Sequence, residues 1–81
     1  MNSNETMKFD FGEDKSKEVK EIMGVAYEAL QLKGYNPISQ IVGYILSGDP
    51  TYITSYNNAR SLMGRLDRDV ILEELIKNYL K

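Results

Sequence analysis

Apolar positions recur with helical spacing in three long stretches of this chain and one short one. Between about Ser16 and Lys33, Val19, Ile22, Met23, Ala26, Tyr27, Ala29 and Leu30 share one face at 100° per residue. Glu18, Lys20, Glu21, Glu28 and Gln31 mostly face elsewhere, and Gly34 follows as a C-terminal stop. Val25 and Leu32 fall off the stripe; they read as surface residues or as the edge of a second contact surface. The string GYNP then offers Asn36 as N-cap and Pro37 as first helical residue, predicting a helix to about Ser47 that stops at Gly48. Here Ile38, Ile41, Val42, Tyr44, Ile45 and Leu46 cover a wide arc, opposite the small or uncharged Ser39, Gln40, Gly43 and Ser47. Such a helix is buried on most sides, either in a subunit interface or at the centre of a monomeric bundle.

Asp49–Pro50 repeats the cap-plus-proline signal, with a helical turn through Thr51, Tyr52 and Ile53. A short helix over about Asn57–Leu66 would turn Ala59, Leu62, Met63 and Leu66 inward. Asp67 or Asp69 then caps a last helix. Its apolar face is Ile71, Leu72, Leu75, Ile76, Tyr79 and Leu80, and its polar face is Glu73, Glu74, Lys77, Asn78 and Lys81, with a Glu73–Lys77 pair. The first fifteen or so residues lack this periodicity. Phe9 and Phe11 alternate there as a short extended segment would, in an otherwise polar, acidic tail. The expected fold is all-α: a compact bundle of four to five short helices behind a flexible N-terminal tail.

Composition narrows the chemistry. Eighty-one residues make one small domain, which buries only about 60% of its unfolded surface, so oligomerisation would add stability. There is no cysteine and no histidine. Disulfides, thiolate metal sites, imidazole bases and a Ser–His mechanism are thereby excluded. The cysteine count suits a cytoplasmic protein. A net charge of −2 argues against broad attraction to nucleic acid or anionic lipid. Neither a signal peptide nor a spanning segment is expected.

Gly43 and Gly48 have the spacing of a phosphate-binding loop, but Asp49–Pro50 follows where Lys–Ser/Thr is needed. Asp67, Asp69, Glu73 and Glu74 lack the alternate-ligand pattern and central glycine of a calcium loop, and read as capping and first-turn acids. No catalytic residue, metal site or cofactor is therefore expected. Arg60, Arg65 and Arg68, the only arginines, lie close together. They could contact phosphate in a small helix-turn-helix DNA-binding protein, form surface ion pairs, or dock a carboxylate or phosphorylated residue. Thr6 is either a solvated tail residue or an accessible kinase substrate, to which phosphate would add about −1.5 to −2 charges.

The run GYNPISQIVGYILSGDPTYI, followed by NNAR, RLDRD and ILEELIKNYL, resembles the IreB family of small bacterial regulatory phosphoproteins, from about Met7 to the C-terminus. The resemblance implies a non-catalytic helical homodimer in the cytoplasm. It implies phosphorylation by a membrane Ser/Thr kinase with extracellular PASTA repeats, reversed by a partner phosphatase. It further implies a role in peptidoglycan synthesis and antibiotic tolerance, through Clp-dependent turnover of a peptidoglycan-precursor enzyme in some relatives. The family's phosphothreonine position matches Thr6 in ETMKFDF. Residues 1–15 would then be the phospho-acceptor tail and 16–81 the dimerisation and interaction domain. Ile38, Ile41, Val42 and Ile45 are the expected dimer seam, and Arg60, Arg65 and Arg68 the expected partner-binding residues. The chain departs from the family at Ser55, where a basic residue is common, and at Gly64, where paired arginines often begin.

Overall fold

A computed structural model describes the backbone of residues 2–81 and the side chains of residues 14–81. Four α-helices follow one another, α1 (Asn2–Leu32), α2 (Pro37–Ser47), α3 (Ala59–Met63) and α4 (Arg68–Tyr79). Two 3-10 turns, Pro50–Tyr52 and Tyr56–Asn58, join α2 to α3. No strand occurs among the described residues. The backbone of α1 is helical well ahead of Ser16, where the periodicity begins. The side chains of Thr6, Phe9 and Phe11 lie outside the described residues.

Local chemistry sets the ends of these helices. At the end of α1, Gly34 adopts φ +86°. The Tyr35 N–H reaches the Leu30 carbonyl at 2.9 Å and the Gly34 N–H reaches Gln31 at 3.1 Å. This paired closure serves carbonyls that the helix leaves open, and it needs a residue free of left-handed strain. At the start of α2 the Asn36 carboxamide accepts the Ser39 N–H at 3.1 Å, with Pro37 at the first helical position. The helix ends at Gly48, φ +76°, whose N–H bonds the Tyr44 carbonyl at 2.7 Å. Asp49 then caps the first 3-10 turn, one carboxylate oxygen accepting both the Thr51 N–H at 3.0 Å and its hydroxyl at 2.7 Å. All four end signals match the sequence expectation.

The core collects around α1. Val19, Ile22, Ala26, Ala29 and Leu30 are buried on its inner face. Ile41 and Tyr44 of α2, Ile53, Ala59 and Met63 of α3, Leu66, and Ile71 of α4 complete it. α1 packs chiefly against α2 and α3, so it is contacted from two sides. That explains Val25: off the main stripe, it still packs against the core as the edge of a second contact surface, whereas Leu32 stays exposed.

The last helix departs from expectation. Only Ile71 of the six-residue apolar face is buried; Leu72, Leu75, Ile76, Tyr79 and Leu80 are exposed. Glu74, placed on the polar face by the sequence, is instead 7% exposed. The cause is its partners. Ser16 of α1 donates its hydroxyl to Glu74 Oε1, and Lys77 lies 3.5 Å from Oε2. The expected Glu73–Lys77 pair is thus replaced by Glu74–Lys77, a pair at i,i+3 rather than i,i+4. The caps differ too. Asp67 stands at the cap position without a side-chain bond, and Asp69 accepts the adjacent Val70 N–H at 2.9 Å.

Candidate functional site

The α2 helix turns one face inward and another out. Ile41 is 7% exposed and belongs to the protomer's own core, so of the expected seam residues it is a structural one first. Ile38 and Val42 are exposed, and Ile45 is partly buried. These four line an apolar groove of about 320 Å³, walled on the α1 side by Met23, Gly24 and Tyr27 and on the α4 side by Leu75. Almost no polar surface enters it. Leu72, Ile76, Tyr79 and Leu80 of α4 are exposed as well. Contiguous exposed apolar area of this kind marks an interaction site in a small protein.

Behind the groove, the SGDPTYI segment folds back on α2. Gly43 has no side chain, and the Tyr52 ring occupies the space; a Cβ there would stand 2.5 Å from a ring carbon. Gln40 donates to the Tyr52 carbonyl at 2.9 Å. Ser47 donates its hydroxyl to the Gly43 carbonyl at 2.7 Å and accepts the Asp49 N–H at 3.0 Å. Ile53 is thereby delivered, fully buried, to the core. The phosphate-loop spacing of Gly43 and Gly48 therefore has a packing origin, one glycine making room for a ring and the other for a left-handed turn.

Two of the three arginines are put to structural use. Arg68 donates to the Ile45 carbonyl at 2.9 Å, closing an open carbonyl of the last α2 turn, and its guanidinium lies against Gly48. A cation there also complements the negative end of the helix dipole. Arg60 donates its Nε–H to the Ile53 carbonyl at 2.8 Å. Arg60 also lies near enough to Asp49 to favour its charged form. Asp49's carboxyl is held below the ordinary range mainly by the Thr51 N–H and hydroxyl, with Arg60 adding to them. Arg60 and Arg68 thus flank one turn, each with part of its donor fork committed to main chain. The Arg65 side chain is exposed, and among the described residues its guanidinium makes no hydrogen bond or ion pair, its backbone N–H alone reaching the Leu62 carbonyl at 3.0 Å. Thr6, the expected phosphorylation site, has its side chain outside them.

Two features escaped sequence reasoning. One is the Ser16–Glu74 tie between α1 and α4. Its carboxyl is held below the ordinary glutamate range, first by the Ser16 hydroxyl and then by Lys77. The other is the left-handed pair Asn57 and Asn58, φ +56° and +64°, which turns the chain into α3. Asparagine tolerates this region better than most residues, so two in a row before Ala59 were a readable signal. No cluster of histidine, cysteine or acidic side chains suited to a metal ion occurs among the described residues. Among them, too, no helix is long and apolar enough to cross a membrane.

Fold and surfaces together define a class: a small all-helical protein with more apolar residues than its own core takes in. Comparison with known proteins gives the particular family. The model of the IreB regulatory phosphoprotein family matches residues 4–81. A relative from Ruminiclostridium cellulolyticum, called UPF0297 protein, is 59% identical over 81 residues, covering 100% of this chain and 92% of its own. The chain belongs to the IreB regulatory phosphoprotein family, a family of regulators rather than enzymes.

Proposed function

We propose that this protein is a dimeric, non-catalytic phospho-switch in the cytoplasm. A membrane Ser/Thr kinase phosphorylates Thr6 and a cognate phosphatase reverses it. The output is control of peptidoglycan synthesis and antibiotic tolerance, through regulated proteolysis of a precursor enzyme by Clp machinery. The observation that carries the reading is family membership over nearly the whole chain. The exposed apolar face of α2 and α4 supports the dimer, since a second copy would cover Ile38 and Val42. A threonine at the Thr6 position of an acidic N-terminal segment supports the switch, because phosphate there adds about −1.5 to −2 charges. The engagement of Arg60 and Arg68 by main-chain carbonyls weighs against a DNA-reading role. Arg65 is the better candidate for contact with a phosphorylated or acidic partner group.

The test is intact mass with fragment mapping after incubation with the kinase, on the wild-type chain and Thr6→Ala. One added phosphate on Thr6, absent in the variant while its circular dichroism is unchanged, is the expected result. Phosphate that persists in the variant at another residue moves the switch away from Thr6. No phosphate on either chain, with the kinase active on a control substrate, defeats the reading.

A further inference from the structure

On the far side of Leu75 from the apolar groove, α1 and α4 enclose a second cleft of about 430 Å³. Val19, Met23 and Leu75 supply its apolar lining, and Lys17, Lys20 and Lys81 line it as well. In a chain of net charge −2, three lysines converge here on one opening. The carboxylate in the lining, Glu74, is already held by the Ser16 hydroxyl and Lys77, and the Lys81 charge also favours its ionised form. Asn78 donates its amide to the Glu74 carbonyl at 2.7 Å, which braces the α4 side.

We propose that this cleft docks an acidic peptide segment of a partner protein, one carrying an aromatic or branched aliphatic anchor between carboxylates. The anchor rests on Val19, Met23 and Leu75, and its carboxylates face the three ammonium groups. Charge complementarity selects the partner: local positive charge against an acidic body favours a short acidic stretch and disfavours an extended polyanion. Lysines act as flexible point charges without arginine's planar fork, so they suit carboxylates at varied spacing. The cleft is open, and it shares Met23 and Leu75 with the apolar groove. An occupant can therefore run on past its ends, which fits a peptide segment better than a compact small molecule. The cleft adjoins the proposed α2 seam through Met23 and Leu75, but none of its lysines lines the groove there.

The probe is a fluorescein-labelled peptide, acetyl-Glu-Asp-Phe-Asp-Glu-amide, titrated with the full chain and followed by anisotropy. Saturable binding is expected, weakened about tenfold or more by Lys20→Glu combined with Lys81→Glu. Replacing the peptide's phenylalanine with serine should abolish it. Both lysines are exposed, so the variant should fold, as circular dichroism would verify. Val42→Asp, aimed at the α2 seam, should retain the peptide whatever it does to the sedimenting mass. Absence of saturable binding overturns the proposal, and so does equal binding by the lysine variant or by the serine peptide. A fall in sedimenting mass on lysine reversal, with peptide binding unchanged, would assign the cleft to a second copy and overturn it equally.

Discussion

Gly43 lies inside α2, where glycine is about 1 kcal/mol worse than alanine on propensity alone. Yet a Cβ there would meet three atoms of the Tyr52 ring between 2.5 and 2.9 Å. Overpacking of this kind costs roughly 1–3 kcal/mol and outweighs the propensity gain. Gly43→Ala should therefore lower stability by about 1 kcal/mol net. In a Tyr52→Ala background the same change should raise stability by about 1 kcal/mol. A urea-melt double-mutant cycle reads that change of sign; equal effects in both backgrounds would show that the ring does not hold the position. Gly64 gives the contrast. Its φ is −65°, and a Cβ would find only ordinary contacts at 3.4 and 3.5 Å. Gly64→Ala should stabilise by about 0.4–1 kcal/mol, seen as a higher urea midpoint with unchanged slope.

At the scale of elements, α4 is fastened by polar ties as much as by packing. Ser16 holds it at Glu74, and its own first residue, Arg68, reaches back to the end of α2. The Glu74 carboxyl is lowered in the fold, so its contribution is fully present above its unfolded pKa and is lost as pH falls through the lower folded one. Asp49 acts in the same direction. Ser16→Ala removes the main cause of the Glu74 shift. The stability gap between wild type and Ser16→Ala should therefore be open at about pH 7 and narrow by about pH 3 in urea melts. A gap independent of pH would leave the hydroxyl without a charged partner.

The same helix shows where sequence reasoning stops. The junctions at Gly34, Asn36 and Gly48 were legible because capping is local chemistry between near neighbours. The inward residues of α1 and α3 were legible because each helix has one dominant stripe. In α4, apolar residues from Val70 to Leu80 occupy much of the circumference, so the pattern says that a large face is apolar without saying which sector docks. Part of that choice is made by Ser16, 58 positions earlier, which donates its hydroxyl to Glu74. The two arginine ties are likewise long-range bonds to main-chain carbonyls, which leave no periodic trace. The groove between Met23, Val42 and Leu75 exists only once three helices are assembled.

For the whole molecule, the balance between core and exposed apolar surface is the dominant fact. Ile38 is 62% exposed and Val42 49%, beside a groove with almost no polar lining. A second copy laid on this face would supply burial that so short a chain lacks. Val42→Asp should shift sedimenting mass from dimer to monomer while helix content is retained, because Val42 is not part of the protomer core. Ile41→Asp should instead unfold the chain. A Val42→Asp protein that sediments as wild type would move the seam off α2.

The outward-facing apolar side of α4 carries a consequence for amide hydrogen exchange. Helices α1, α2 and α3 share most of the buried core, whereas α4 contributes mainly Ile71 to it. Its amides should therefore trade hydrogen for deuterium through a local opening well below the global unfolding free energy, ahead of those in α1 and α2. If a second copy seats against Leu72, Leu75 and Ile76, that lead should shrink as protein concentration rises, and the last helix would report the population of the dimer.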